Sequence, residues 1–510
     1  MNGEANMHVD FPFAHNRRSF LNKSVGGMGL LALAHLLQQS RAGAALRENR
    51  HAHHPPSADA VICLFQHGGP SQMDLFDNKP ELTKRNGQKY EGDLEIHFPG
   101  QRGNVLASPY AFHPHGESGI EVSEVVPHTA KIVDEITLVR SVTTESVDHE
   151  SALRLIHSGK FQAGYPTWGS WVNYGLGTVN EDLPAYVVLT DPGGMPVDNV
   201  RNWTSGWLPA EYQGTPFRSG DSPVPNLRTP PNVSPGARRR QLQLIREFNR
   251  EHLRQYPANT ELEARITDFE VAARMQTAVP ELMDLSQETE ATRKMYGLDN
   301  PVTAEYGSRC IIARRLIERG VRFVQLFLAG QPWDTHSNNA ATLKTNCARI
   351  DQPSAALVQD LKQRGLLDRT IVLWGGEFGR LPVSQGTDGR DHNRHANSLW
   401  MAGGGFKQGF PYGNTDDFGY QAIENIVTVH DLHATLLHAL GLDHERLTYP
   451  HEGRSGSLSD VAITPFAPLH SISPHALPPS PARLRLLLCG RCPCPAPRVP
   501  PLRSEDPWSW

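Results

Sequence analysis

Three short segments of this chain bring carboxylates and imidazoles close together: Asp334-Thr335-His336, Glu377-Phe378-Gly379-Arg380 and Asp391-His392. Carboxylate oxygen and neutral imidazole nitrogen are ligands for divalent cations, so this donor set reads as a mixed oxygen–nitrogen metal site. Asp334 and His336 are two residues apart, and an extended segment turns both to one side. Adjacent Asp391 and His392 diverge, so they serve different partners, or one ligates while the other supports. A cation held this way stabilises a tetrahedral oxyanion such as phosphate or sulfate and acidifies a water. Arg380, or Arg390, adds a bidentate clamp on the same anion. Taken singly, each segment also has an ordinary reading as loop hydrogen bonding, an ion pair or a solvated charged loop. Two further segments widen the set. His67 stands in Gln66-His67-Gly68-Gly69-Pro70, where glycines permit close backbone approach to a ligand but also make an ordinary turn, and Asp74 follows. His149 and Ser151 lie in Asp148-His149-Glu150-Ser151, a helix start whose backbone N–H groups suit an anion and whose Ser and Asp are common caps. His149 is a candidate base, metal ligand or oxyanion donor.

The elements that position these residues follow from patterning. Continuous apolar runs at 58–65, 136–139, 185–189, 321–328, 370–374 and 399–402 suit strands buried on both faces. Helical stretches at 148–158, 234–252, 258–295, 304–319, 340–364 and 429–440 alternate with them. This alternation predicts an α/β fold with a mostly parallel central sheet and helices on both faces. The segments holding Asp334 and Glu377 follow strand candidates, where open parallel sheets bind ligands, and the segment with Asp391 and His392 reads as a loop folding over the same edge. Residues 191–233 read as a long insertion whose Trp203, Trp207 and Tyr212 suit stacking on sugars or packing within the loop.

The chain has 510 residues and a formal net charge of −5, which argues against a general nucleic-acid binder. No apolar run approaches the roughly 20 residues of a transmembrane anchor. Residues 1–45 read as a twin-arginine signal peptide: Arg17-Arg18, a short weakly apolar stretch and an Ala-x-Ala site at 42–44. The partner it implies is the twin-arginine (Tat) export machinery, and the location periplasmic or extracellular. Residues 46–57 form a linker and 58–463 one α/β domain. Residues 464–510 hold 12 of the 40 prolines, five arginines and two acids, and read as a disordered tail.

The export signal, His67-Gly68-Gly69, Asp334-Thr335-His336, Glu377-Phe378-Gly379-Arg380 and Thr387…Asp391-His392 together resemble the bacterial domain-of-unknown-function 1501 (DUF1501) family, over residues 15–463. That family is usually grouped with the alkaline phosphatase/sulfatase superfamily, so the resemblance implies an alkaline phosphatase-like fold. It also implies that Asp334 and His336 are metal ligands, that Glu377 takes the place of an Asp in a ligand pair, and that His392, or His395, is the late histidine ligand. Phe378 stands where the second member of that pair belongs, which argues against two metals. By its spacing back from Gly159, His149 takes the nucleophile position, with Ser151 two residues on. The Cys-x-Pro-x-Arg segment of formylglycine sulfatases is absent.

Two functions follow. The first is an exported metal-dependent hydrolase-like protein acting on a phosphate or sulfate ester, small or polysaccharide-linked. Asp334, His336, Glu377, Asp391, His392 and His67 are its metal-ligand candidates, and His149, Ser151 and Arg380 its catalytic ones. The divalent metal is zinc, calcium, manganese or magnesium. The second is a non-catalytic secreted binding protein on the same scaffold, with or without a structural metal.

Overall fold

The computed structural model describes residues 52–219, 223–224, 232–256, 260–459 and 465–466. The signal-peptide reading of residues 1–45 lies outside the described residues, as does the tail reading apart from Pro465 and Phe466. Phe466 is buried, and its N–H donates to Thr435 Oγ1 at 3.0 Å. Among the described residues no helix is long and apolar enough to cross a membrane.

Strand β1 (Ala60–Phe65) is apolar at every position and buried throughout, as a strand covered on both faces requires. After β2 (Arg102–Val105), which lies in a separate small sheet, the main sheet gains β3 (Ile136–Thr143), β4 (Tyr186–Leu189), β5 (Thr215–Phe217), β6 (Phe323–Leu326) and β7 (Thr370–Gly375). Strands β8 (Gly379–Gln385) and β9 (Gly389–Asn393) pair antiparallel, and β8 also pairs with β2. Strands β10 (Asn397–Ala402), β11 (Phe410–Tyr412) and β12 (Val427–Thr428) return to the main sheet. Its nine strands run in the order β11-β3-β10-β7-β1-β6-β4-β5, with β12 also beside β3. Strand β10 is antiparallel to both its neighbours, and the other pairings are parallel. Leu64 of β1 lies level with Leu326 of β6 and Trp374 of β7, so the carboxyl ends of these three strands open onto one edge.

Helices cover both faces. In chain order they include α1 (His149–Ser158), α2 (Trp168–Leu176), α3 (Pro235–Gln255), α4 (Thr260–Met283), α5 (Ala304–Glu318), α6 (Asn339–Gln363) and α7 (Val429–Ala439). Ile62, Leu64, Val324 and Val372 point into a core shared with Val279 of α4, Ile311 and Leu316 of α5, and Leu357 of α6. The alternate residues Cys63, Phe65 and Leu373 face Ile156, Trp168, Leu432 and Leu436 from α1, α2 and α7 around a small apolar cavity. Period-two alternation along β1 therefore divides its side chains between two helical layers.

Three expectations change. The segment 389–393 is not a loop but strand β9, buried throughout. The 191–233 insertion contributes edge strand β5, and its aromatics pack inward. Trp203 is buried, 5.5 Å from the Phe327 ring; Trp207 stacks on His451 at 5.1 Å; Tyr212 meets Tyr174 edge-on at 5.4 Å. Trp203 is thus closed off, and Trp207 and Tyr212, both half-buried, pack against protein rings, the loop-packing alternative. The described end of the linker is also docked, with His53 N donating to Gly441 O at 2.7 Å and Ser57 N to Ala439 O at 2.9 Å.

Candidate metal centre

The site forms where β1, β6 and β7 end. The turn after β1 needs glycine at position 68: its φ is +106°, and a Cβ there would lie 2.5 Å from Asp334 N. That close approach lets Trp333 N donate to His67 O at 3.1 Å and Gly68 N to Glu377 Oε1 at 2.8 Å, lacing the three strand ends together. Helix α1 begins nearby, capped by Asp148, whose side chain accepts from Ser151 N, and its first residue is His149.

Four groups converge on one oxygen, Asp334 Oδ1. His336 Nε2 lies 2.9 Å away, His392 Nε2 3.2 Å, His149 Nε2 3.3 Å and an Arg380 Nη2 2.7 Å. Each imidazole is braced from behind. The Nδ1 of His149 faces Glu377 Oε1 at 2.7 Å, that of His392 faces Val147 O at 2.6 Å, and that of His336 bonds Gln385 Oε1. An acceptor at every Nδ1 holds a proton there and turns each Nε2 toward Asp334, where it donates to the carboxylate when protonated and would ligate a cation when not. The ligand atoms of His149, Asp334 and His392 lie within 4.8 Å of one another, as do those of His336, Asp391 and His392. His149 Nε2 is buried and makes no well-formed hydrogen bond although it lies 3.3 Å from Asp334 Oδ1, a position where a bound cation would take the place of its proton. The donor atoms therefore fit a divalent ion in two overlapping groups that share His392, one with His149 and Asp334 and one with His336 and Asp391, and an outer partner orients each imidazole.

The electrostatics follow from crowding. Burial opposes charge on Asp334, but the three histidines and Arg380 outweigh it and hold the carboxyl far below its usual range. Burial likewise opposes charge on His149, and proximity to Asp334 and Glu377 overcomes it, lifting the imidazole to about 9. His392 is pushed down to about 4 by burial and by the charges of Arg380 and His149. His67 is also pushed down to about 4, by burial, partly offset by Glu377.

The remaining candidates separate. Glu377 touches His149 and Gly68 through Oε1, so it braces an imidazole rather than joining the groups around Asp334; its Oε2 is buried without a partner. Asp391 accepts from His97 N and Phe98 N at 3.0 Å each and from His392 N at 2.8 Å, fastening the 97–98 segment over the site. His67 sits in neither group of ligand atoms, fully buried with neither ring nitrogen bonded. His395 pairs with Glu95 at 2.8 Å, which leaves His392 as the late histidine of the site. Asp74 is bound bidentately by Arg390 at 2.8 and 2.9 Å, both side chains fully buried, so neither reaches the site.

Two expectations are corrected. Arg380 is no anion clamp: it is fully buried, and its donors go to the carbonyls of Gly68, Gly69, Trp333 and Arg390 and to Asp334. Ser151 does not face the centre, because its hydroxyl bonds Asp148 and Ser146 in the helix cap.

Sequence reading missed His97 and Phe98. The His97 ring stacks on His392 at 4.8 Å, and Phe98 meets His336 edge-on at 5.0 Å. Nothing in the polar stretch around them marks the contact, which arises only when Asp391 captures their backbone. Gln385, at the end of β8, was equally silent.

Solved structures similar to this chain include a lipoteichoic acid synthase, LtaP, from Listeria monocytogenes, 10% identical, covering 77% of this chain and 74% of that one with a TM-score of 0.32. The PsFucS1 sulfatase from Pseudoalteromonas sp. is 12% identical over 80% of this chain and 72% of that one, with a TM-score of 0.32. A protein in the alkaline phosphatase superfamily from Vibrio parahaemolyticus is 10% identical over 77% and 68%, with a TM-score of 0.33. No curated protein matches the chain. The family described as a protein of unknown function, DUF1501, matches residues 58–466, and with nearly all of the described chain inside that match, the protein belongs to it.

Proposed function

We propose that this is an exported, metal-dependent hydrolase-like protein acting on a phosphate or sulfate ester, free or carried on a polysaccharide. The observation that carries the reading is the convergence of three outward-braced imidazoles on Asp334 Oδ1. Asp334, His336 and His392 would hold a divalent cation, with Asp391 beside them. Such an ion supplies a Lewis acid for an ester oxygen and lowers the pKa of a water. His149 would move the proton, its ring fixed by Glu377 so that Nε2 faces the centre. Asp391, by holding His97 and Phe98 against the histidines, narrows access for bulk water. Arg17 and Arg18 support export through the twin-arginine route to the periplasm or beyond.

One observation favours a second reading. His149 Nε2 shares one group of ligand atoms with Asp334 and His392; were it a ligand, with His336 as a fourth, protein groups alone would close the site, and closed sites are characteristic of structural metals. The protein would then be a secreted binding protein on the same scaffold. Metal analysis together with a panel of aryl phosphate and sulfate esters separates the two. The hydrolase predicts metal-dependent turnover that Asp334→Ala and His392→Ala abolish, and a His149→Ala variant that keeps its metal but loses rate. Loss of metal from His149→Ala, with no ester turned over by wild type, establishes the closed site instead. Wild-type turnover that survives complete removal of metal sinks the hydrolase reading.

A further inference from the structure

The small cavity between β1 and helices α1, α2 and α7 is apolar over most of its wall, where Phe65, Leu373 and Leu432 lie. Three of its lining residues nevertheless carry a polar ring atom, one from each helix: His157 of α1, Trp168 of α2 and His433 of α7. All three side chains are at least nine-tenths buried. His157 Nε2, Trp168 Nε1 and His433 Nδ1 have no hydrogen-bond partner within the protein. Native interiors rarely leave a buried polar atom unpaired, and three around one cavity call for a common partner.

The second nitrogen of each histidine fixes what the first one offers. His433 Nε2 lies 2.8 Å from Ile156 O; a carbonyl only accepts, so Nε2 carries the proton and Nδ1 presents a lone pair. The Tyr186 hydroxyl donates to Gln325 Oε1 at 2.6 Å, which turns the Gln325 amide nitrogen toward His157 Nδ1 at 3.3 Å. That amide donates, so His157 Nδ1 accepts and its proton sits on Nε2. Burial holds both imidazoles neutral by pushing them well below the usual histidine range. With the indole N–H of Trp168, the cavity is faced by two donors and one acceptor. Turning the Gln325 amide over would reverse His157 and make the count one donor and two acceptors.

Water accepts twice and donates twice, so it meets either count. A small anion has no proton for His433 Nδ1, and a metal cation has no lone pair for the Trp168 N–H. Size agrees: the cavity leaves ≈ 20 Å³ for the centre of a water molecule, and one molecule needs roughly 10–15 Å³.

We infer that this cavity is a binding site for one water, held by His157, Trp168 and His433 as the polar joint between α1, α2 and α7. Through Gln325 and Tyr186 the joint continues into β6 and β4. It also bears on the metal centre, because α1 begins at His149 and His157 stands just over two turns further along the same helix.

The test is a high-resolution crystal structure of the full-length chain, together with a xenon-pressurised crystal. One solvent peak is expected within about 3.2 Å of all three nitrogens, with no xenon beside it, since xenon enters dry apolar cavities. Xenon in the cavity overturns the inference, as does a structure with no solvent peak there. Finding the three nitrogens bonded directly to other protein groups overturns it too. Trp168→Phe removes one donor, and the peak is expected to weaken or vanish. A peak of undiminished strength in that variant shows that the indole does not hold it and overturns the three-partner site.

Discussion

Glu377 Oε1 stands 2.7 Å from His149 Nδ1 across 228 residues of chain, and this contact turns His149 Nε2 toward Asp334. The carboxylate comes from the turn after β7 and the imidazole from the first residue of α1. Placing a buried acid behind a histidine fixes its tautomer and raises its basicity, which is how outer partners commonly support metal sites.

Glu377→Gln keeps the shape and removes the charge. We expect metal affinity, or the rate of any metal-dependent turnover, to fall by about 10–100-fold, the usual cost of losing such a partner. Competition titration against a chelator measures it. An unchanged affinity together with an unchanged rate rejects the bracing role.

Arg380→Ala removes a guanidinium that ties the carbonyls of Gly68, Gly69, Trp333 and Arg390 to Asp334. Orphaning these buried acceptors should cost about 3 kcal/mol or more, visible as a lowered denaturant midpoint. Arg380→Lys should not restore it, since one ammonium cannot reproduce the planar fork. A substrate clamp would behave differently, raising KM while leaving the unfolding midpoint in place.

Asp74→Ala leaves Arg390 fully buried without its carboxylate. Breaking a buried pair in this way costs about 3–5 kcal/mol. Urea unfolding should show the loss, while metal binding to the folded fraction persists, because neither residue touches Asp334.

Acid should weaken the fold through His433. Burial between α1 and α7 pushes its imidazole down to about 3, and its Nε2 donates to Ile156 O at 2.8 Å. The unfolded chain takes up a proton near pH 6.5 that the folded chain refuses. Its contribution is therefore complete above pH 6.5 and is lost at about 1.4 kcal/mol per pH unit as pH falls toward 3. Melting curves between pH 7.5 and about 5 should show a steeper decline for wild type than for His433→Gln, whose uncharged side chain lacks this linkage. Equal slopes would dispose of the assignment.

Much of the scaffold was legible along the chain. The run Ala60–Phe65 is apolar at every position and Thr370–Gly375 nearly so, and both are buried throughout, a pattern that suits a strand covered on both faces. Helices α1, α5, α6 and α7 begin and end within a residue or so of their sequence-based limits; α1 and α7 start at local hydrogen-bond caps, Asp148 and Thr428, whereas α5 and α6 have no side-chain cap. Helix α2 escaped notice: its Trp-Gly-Ser-Trp run has no polar face, since all but one of its residues are buried. Strand β9 escaped because Gly-Arg-Asp-His-Asn reads as a polar loop until its ion pairs and backbone bonds are in place.

The sequence by itself determined residue types and local order: which side chains can ligate a cation, which runs become strands, and that Asp334 and Glu377 follow strands. Only the tertiary structure decided which of those groups meet. Arginine and carboxylate are equally suited to a substrate, a backbone carbonyl or each other, and the choice depends on neighbours far away in the chain. That is why Arg380 turned inward, Glu377 moved behind His149, Asp391 took hold of the 97–98 backbone, and His149 came to face Asp334.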